Sequence, residues 1–322
     1  MMKTRQSGKN ARRALGMSIL LAGGWVAPTF AMPAPPMMSV QVSPRSAITG
    51  LGSTSQDGVG INLSTRYSER SELQSGTTEV ANPDNQKTES WQTTLLLDYR
   101  VTDSLTAILA VPHVNQTASY NPGNVTQTTK GLGDISVYGK YSLYKPSATS
   151  EVLALVGVEF PTGSTDERDS SGVFPITQQP GSDSTDFIVG AAAVWGFPTF
   201  TTYGDFSYKI NGSESYTFGN FLGLNAGVNY ALPSMDQFSL VGEVNAEIAE
   251  RDESEVAGPG VLAGGEVRDT GYSKIYLTPG IQWRPGKNSS LTFNAQVPVY
   301  QNLKGTQLAS EVSYTLGVSL RF

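Results

Sequence analysis

The last segment of the chain, residues 312–322, alternates strictly between apolar and polar or small residues. One face would hold Val312, Tyr314, Leu316, Val318, Leu320 and Phe322, and the other Ser313, Thr315, Gly317, Ser319 and Arg321. A period of two is the pattern of a β-strand with two unlike faces. Bacterial outer-membrane barrels carry aromatic residues where their strands reach the membrane rim. We therefore predict a barrel of this type. The resemblance to this class of barrel implies that Phe322 is the signal that the barrel-assembly machinery recognises.

Eleven further segments repeat this alternation, each about as long as a tilted strand needs to cross a bilayer. The predicted strands are 57–68, 90–101, 104–116, 133–144, 151–161, 185–196, 199–210, 218–231, 237–249, 272–283, 290–300 and the C-terminal segment. Pro279 lies inside the tenth strand and cannot donate a ladder hydrogen bond, so a bulge is expected at this residue. The sequence thus predicts an all-β fold, an antiparallel up-and-down transmembrane barrel of about twelve strands.

The connections between these strands alternate in length. Short ones, such as Thr102-Asp103 and Phe197-Pro198, alternate with long ones that include 69–89, 117–131, 162–184 and 250–271. Short periplasmic turns and long external loops are the rule in outer-membrane barrels, whereas a soluble sandwich has no reason to follow it. An even strand count then predicts that both termini are periplasmic.

The N-terminal residues predict secretion. Five basic residues, Lys3, Arg5, Lys9, Arg12 and Arg13, precede an apolar run from Ala14 to Phe30 and a small-residue cleavage site before Met32. This is the pattern of a secretory signal peptide. We predict a signal peptide over 1–31, a periplasmic lead-in or lumen plug over 32–56, and the barrel over 57–322.

Composition excludes several classes of function. Removing the five basic residues of the signal peptide lowers the formal net charge from −6 to −11, which argues against nucleic acid as a partner. The chain has no cysteine and a single histidine, His113, so thiolate or histidine metal sites and a Ser-His catalytic pair are not expected. We predict no cofactor, no metal and no enzymatic activity. The expected partners are outer-membrane lipid, lipopolysaccharide, the assembly machinery and a small-molecule solute.

Charged residues of the predicted strands fall on the inward parity, because charges are costly in lipid. These lumen-lining candidates are Arg66, Asp98, Arg100, Asp134, Lys140, Glu159, Asp205, Lys209, Glu243, Glu247, Lys274 and Arg321. Either they line a polar path with charged constrictions, or they pair across the interior and hold the barrel closed. The long loops at 69–89 and 250–271 are acidic. Such loops are either solvated surface or sites that attract cations at the lipopolysaccharide layer.

Several short segments resemble one family of barrels. They are Gly131-Leu132-Gly133-Asp134-Ile135 with Tyr138-Gly139-Lys140-Tyr141, then Val158-Glu159-Phe160-Pro161-Thr162-Gly163-Ser164, then Thr278-Pro279-Gly280-Ile281-Gln282, Val297-Pro298-Val299-Tyr300-Gln301 and Gly305-Thr306-Gln307-Leu308. The family is the one labelled "putative MetA-pathway of phenol degradation". The resemblance implies an outer-membrane, transporter-like barrel of the Gram-negative envelope, in some members linked to aromatic degradation.

Two functions of different class follow from this reading. The first is a porin-like channel for passive passage of small solutes, including aromatic or hydrophobic compounds. The second is a non-transporting barrel that acts as an envelope scaffold, an adhesin or a binding partner for other proteins. An open lumen would favour the first function, and a lumen closed by residues 32–56 and paired charges would favour the second.

Overall fold

The computed structural model describes residues 58–120, 125–170, 172–212, 215–256 and 260–322. The predicted signal peptide and the 32–56 segment lie outside these residues, and so does residue 57. Twelve long strands form the barrel: β1 (Val59–Arg70), β2 (Lys87–Arg100), β3 (Leu105–Tyr120), β4 (Ile135–Ser147), β5 (Ser150–Phe160), β6 (Asp186–Gly196), β7 (Phe200–Ile210), β8 (Phe221–Ala231), β9 (Phe238–Ala249), β10 (Tyr272–Gly286), β11 (Ser289–Leu308) and β12 (Ser313–Arg321).

Each strand pairs antiparallel with its neighbours in sequence, and β1 also pairs with β12, which closes the barrel. At this seam Val59 N donates to Phe322 O over 3.1 Å, and Phe322 N donates to Val59 O over 3.0 Å. Closure leaves none of the twelve strands with a free edge. A free edge surrounded by lipid would have backbone N–H and C=O groups without hydrogen-bond partners. The predicted closed antiparallel barrel of twelve strands is confirmed.

One end of the barrel carries the five short turns and the other carries the long connections; we call them the turn end and the loop end. At the loop end the connections extend the barrel with strands of their own. Val125–Leu132 pairs with the far half of β3, and Leu73–Gly76 pairs with the end of β11 and with Thr78–Val80. Two short strand pairs and one 3-10 helix of the described residues also lie at this end. Arg168–Asp169 pairs with Gly172–Val173, Tyr216–Thr217 pairs with Glu253–Ser254, and a 3-10 helix spans Ile176–Gln178.

The predicted bulge at Pro279 is wrong. Leu277 lies opposite Val297 and Gly280 lies opposite Asn294, so the register is the same on both sides of the proline. Register shifts occur instead between Ile275 and Tyr276, where β11 carries the extra residue, and between Trp283 and Gly286. The barrel therefore accommodates the missing N–H of Pro279 without changing the face of any side chain.

The outer surface follows the predicted parity. Large apolar side chains are exposed on eleven of the twelve strands, for example Leu63, Val156, Leu224 and Leu316. On β3 the outward Leu109 and Val111 are half-buried. Among the exposed aromatic residues are the three tryptophans of 32–322, Trp91, Trp195 and Trp283. Neighbouring rings pack together: the Tyr67 and Trp91 centroids are 4.9 Å apart, and Phe238 stacks on Trp283 at 6.2 Å. An exposed apolar surface of this extent has no stable place in water and fits a lipid environment.

Candidate functional site: the barrel interior

The interior face of strands β2 to β6 is apolar around its middle. Buried side chains from five neighbouring strands form one cluster there, and Leu153 and Ala192 form a second cluster on β5 and β6. We call these two clusters the apolar wall; its members are Leu96, Ile108, Ala110, Tyr138, Leu153, Leu155, Ile188 and Ala192. The outer faces of these strands are apolar too. Successive side chains therefore alternate between the two faces of the sheet without alternating between apolar and polar.

The interior face of β7 to β10 is polar. Thr278 donates to Asn245 Oδ1, Asn245 Nδ2 donates to Asn225 Oδ1 over 2.8 Å, and Asn225 Nδ2 donates to Asp205 Oδ1 over 2.6 Å. These four residues form a chain of hydrogen bonds that runs in one direction across four strands and ends on the Asp205 carboxylate.

A second contact lies beside this chain, where Tyr203 OH donates to Glu243 Oε1 over 2.7 Å. We call Tyr203, Asp205, Asn225, Glu243, Asn245 and Thr278 the polar wall. Hydrogen bonds within the wall offset the cost of burying its polar groups.

The strand register joins the two walls. Leu153 pairs with Ala192, Ala192 with Asp205, Asp205 with Asn225, and Asn225 with Asn245. We call this line of paired residues the central row. Asp205 stands where the apolar part of the row meets the polar part.

A buried ionic cluster lies at the loop end of the interior. Lys209 Nζ contacts Glu159 Oε1 and lies 2.7 Å from Asp186 Oδ2. Ser136 donates to Glu159 Oε2 over 2.9 Å, and Ser184 donates to Asp186 Oδ1 over 2.7 Å. One ammonium thus serves two carboxylates, which leaves the cluster with one excess negative charge.

A second ionic cluster lies near the turn end. Arg321 Nη2 is 2.7 Å from Asp98 Oδ2. Lys140 and Glu151 are also buried, and Lys140 interacts electrostatically with both acids. Because β1 separates β2 from β12, the Arg321–Asp98 pair spans the closing seam of the barrel.

Further polar contacts lie on the interior side of β1, β9, β10 and β12. Lys274 Nζ donates to Ser310 Oγ over 2.7 Å and lies 4.0 Å from the centre of the Tyr272 ring. Tyr276 OH donates to Glu247 Oε2 over 3.3 Å, and Arg66 donates to Ser313 Oγ over 3.0 Å.

Two of the twelve lumen-lining candidates form hydrogen bonds with a turn or a connection. Arg100 bonds Asp103 Oδ1 over 3.0 Å in the exposed turn after β2. Asp134 precedes β4, and its two oxygens accept from the backbone N–H groups of Gly163 (2.8 Å) and Ser182 (2.7 Å). Asp134 therefore fastens the connection between β5 and β6 to the start of β4.

Close packing of glycines supports that junction. A Cβ atom on Gly163 would lie 2.6 Å from Gly181 Cα and 2.9 Å from the carbonyl carbon of Gly133. The segments 131–135 and 158–164, which carry part of the family resemblance, thus meet at one loop-end junction. Their glycines and Asp134 are explained by this packing.

The long connection between β9 and β10 has an anchor of its own. Asp252 Oδ2 accepts from Tyr216 OH over 2.6 Å, and Asp252 Oδ1 accepts from Gly219 N over 2.9 Å. Burial raises the pKa of Asp252 above its usual range. Burial and the neighbouring Asp252 also raise the pKa of Tyr216. The acidic segment 250–271 is therefore attached, through a buried carboxylate, to the connection between β7 and β8.

The apolar wall, Asp186 and Glu151 were not predicted from the sequence. A signal was present, because Leu96, Ile108, Leu155 and Ile188 interrupt the polar parity of their strands. Within the described residues, no helix is long and apolar enough to span a membrane. No group of three or more His, Cys, Asp or Glu side chains in the described part of the chain is arranged to hold a metal ion.

A solved structure of low sequence identity has the same fold, and two others match with lower scores. An outer membrane channel from Pseudomonas putida F1 superposes with a TM-score of 0.62 at 16% identity, covering 83% of this chain and 96% of that one. The translocator domain of the autotransporter NalP from Neisseria meningitidis matches with a TM-score of 0.46 at 13% identity, covering 83% and 89%. A FadL homologue from Pseudomonas aeruginosa matches with a TM-score of 0.43 at 11% identity, covering 87% and 94%.

Comparison at the level of sequence identifies the family. No curated protein matches this chain. The family model described as "Putative MetA-pathway of phenol degradation" matches residues 74–315, which span β2 to β11 and the start of β12. The chain therefore belongs to that family.

Proposed function

We propose that the barrel is an outer-membrane channel through which small solutes, including aromatic or hydrophobic compounds, pass passively. The observation that carries this proposal is the division of the interior into an apolar wall and a polar wall. A barrel of twelve strands lies between eight-stranded barrels, which side chains can fill, and sixteen-stranded porins, which hold an aqueous channel. A narrow interior of this kind favours solutes with both an apolar and a polar part.

The buried charges would set the preference of the channel for ions. A narrow pore of low dielectric constant amplifies the effect of each charge on a passing ion. Glu243 and Glu247 lie on one strand, and both are buried. We expect replacement of both by Gln to shift selectivity towards anions. Replacement of Asp236, which lies in an exposed turn, by Asn should leave selectivity unchanged.

The test is reconstitution of the mature chain in planar bilayers and in liposomes. The proposal expects a measurable single-channel conductance, and swelling of liposomes in small neutral solutes. A barrel that carries no current and admits no solute would overturn it. The alternative function, a non-transporting scaffold or adhesin, would then take its place. The buried pairs Lys209–Glu159 and Arg321–Asp98 would stabilise a closed barrel of that kind.

We also propose that the barrel resides in the outer membrane of a Gram-negative cell with both termini in the periplasm, where the assembly machinery recognises Phe322. Its ring is largely exposed, while its backbone forms the last hydrogen bonds of the seam with Val59. Deleting Phe322 should reduce heat-modifiable, folded protein in the outer membrane. Phe293→Ala, which removes another exposed aromatic ring, is the control and should assemble. Normal assembly without Phe322 would exclude it as the signal.

A further inference from the structure

One oxygen of the polar wall has no partner. Asp205 is 9% exposed, its Oδ1 accepts from Asn225 Nδ2, and its Oδ2 is buried without a hydrogen bond. No basic side chain of the described residues forms an ion pair with it. The other buried carboxylates with an oxygen that lacks a hydrogen bond, Asp98 and Asp186, each face a cation, Arg321 and Lys209 respectively.

The surroundings of Asp205 favour a positive charge beside this oxygen. The chain from Thr278 through Asn245 and Asn225 delivers every donor towards Asp205, and each bond polarises the next. The chain of hydrogen bonds ends at the Asp205 carboxylate, whose Oδ2 bonds no further group. The nearby Glu243 carboxylate interacts electrostatically with Asp205 and adds to the negative potential. A buried carboxylate oxygen without a partner is costly, and a cationic N–H group is its strongest complement.

The other side of Asp205 is apolar. In the central row its partner on β6 is Ala192, and the partner of Ala192 on β5 is Leu153. A molecule that placed a charged group at Asp205 Oδ2 would therefore lay the rest of its body against the apolar wall. Ala192, the residue paired with Asp205, contributes only a methyl group to this apolar side.

We propose that Asp205 is the core of a binding site for a small organic cation, with a protonated amine at Asp205 Oδ2 and an apolar body against Ala192 and Leu153. The inference rests on the proposed passage of solutes into the interior and names one class of solute that the interior selects. The amine donates one hydrogen bond to Oδ2, while Oδ1 keeps its bond from Asn225. The site selects the charge of the ligand at Asp205 and the shape of its apolar body at Ala192 and Leu153.

Three probes of one size separate these contributions: benzylammonium is cationic, benzyl alcohol is neutral and benzoate is anionic. Binding to the full mature protein in detergent is measured by calorimetry. The proposal expects benzylammonium to bind at least about tenfold more tightly than benzyl alcohol, since charge-assisted hydrogen bonds are about twice as strong as neutral ones, and benzoate not to bind. Equal binding of the alcohol, or no binding of the cation, would overturn it on the wild-type protein alone.

Variants then locate the site. Asp205→Asn should lower benzylammonium affinity at least about tenfold and leave benzyl alcohol unchanged, whereas Asp205→Glu should retain a preference for the cation. Asp236→Asn removes the same charge from an exposed turn and should change nothing. Unchanged cation affinity in a folded Asp205→Asn barrel would place the site elsewhere and refute the assignment.

Conductance without any probe distinguishes the two proposals. A barrel that conducts in planar bilayers but shows no preference for benzylammonium would refute the cation site and leave the channel intact. A barrel that binds benzylammonium through Asp205 but never conducts would refute the channel and leave the site as a binding pocket.

Discussion

The outside and the inside of the barrel each hold a lysine beside two carboxylates, but the outer group is exposed to water and the inner carboxylates are buried. At the outer rim of the loop end, Lys87 Nζ lies 2.8 Å from both Glu69 Oε1 and Glu89 Oε1, with side chains that are 36%, 29% and 43% exposed. In the interior, Lys209 likewise serves two carboxylates, Glu159 and Asp186, which are 2% and 0% exposed. Two lysines with equal partners therefore differ in how much water surrounds them.

This difference teaches that environment, rather than residue type, sets the energy of each group. Charges in water are already solvated and gain little from pairing. Buried charges have lost that solvation, so each depends on its partner. The same reasoning applies to apolar side chains, because an inward Ile108 packs against protein while the adjacent Leu109 on the opposite face contacts lipid in our proposal.

The largest effect is expected from Lys209→Met. Removing the ammonium leaves Glu159 and Asp186 buried with like charges and no cation between them, which costs about 3–5 kcal/mol of unfolding free energy. Urea unfolding in lipid vesicles, followed by tryptophan fluorescence, measures the loss. Adding Glu159→Gln removes one of the two stranded charges and should recover part of it. If the double variant is no more stable than the single one, the cluster is not held by charge pairing.

The next effect concerns the apolar wall. Ile108→Ala removes a side chain that is 2% exposed and packed in the cluster with Leu96 and Tyr138, so we expect a loss of about 2–5 kcal/mol. Leu109→Ala is the matched variant on the other face. Its loss should be smaller, because mobile lipid chains can occupy the vacated space. Equal losses in the same unfolding experiment would mean that the apolar wall is loosely packed or filled with water.

A smaller effect is expected in the polar wall. Thr278→Val keeps the shape of the side chain but removes the donor to Asn245 Oδ1, which should cost about 1–3 kcal/mol because a buried acceptor loses its partner. Thr202→Val makes the same change on the outward parity of β7 and should be neutral or stabilising in lipid. A neutral Thr278→Val would indicate that water replaces the lost hydroxyl, and thus that the polar wall is wet.

The outside of this barrel could be predicted from the sequence, and the inside only in part. Lipid accepts apolar side chains and excludes charge, so the residue types at alternate positions of all twelve strands identify the outward face. The extension of β11 at the loop end was not predicted. It is a strand because it pairs with Leu73–Gly76, whereas Asn302 and Gly305 within it are residues typical of a loop.

The inside obeys no single rule, because a closed interior can satisfy polar and apolar groups equally well. Sequence parity placed Glu159 and Lys209 on the same face, but their contact depends on the register of β5, β6 and β7, which no local pattern encodes. Asp134 shows the limit clearly. It has the parity of an inward charge, yet its partners are two backbone N–H groups of a distant loop.

The smallest effect is expected from Lys87→Met, which repeats the first substitution at the outer rim. Glu69 and Glu89 are paired in the register of β1 and β2, so Lys87 bridges two like charges, but all three side chains reach water. We expect a loss of about 0–1 kcal/mol at low salt, and none in about 1 M salt, where the screening length falls to about 3 Å. The loss for Lys209→Met should persist at high salt, because ions do not enter its buried cluster. If the two variants cost the same, or if salt removes both losses, then water and ions reach the interior cluster as freely as the rim.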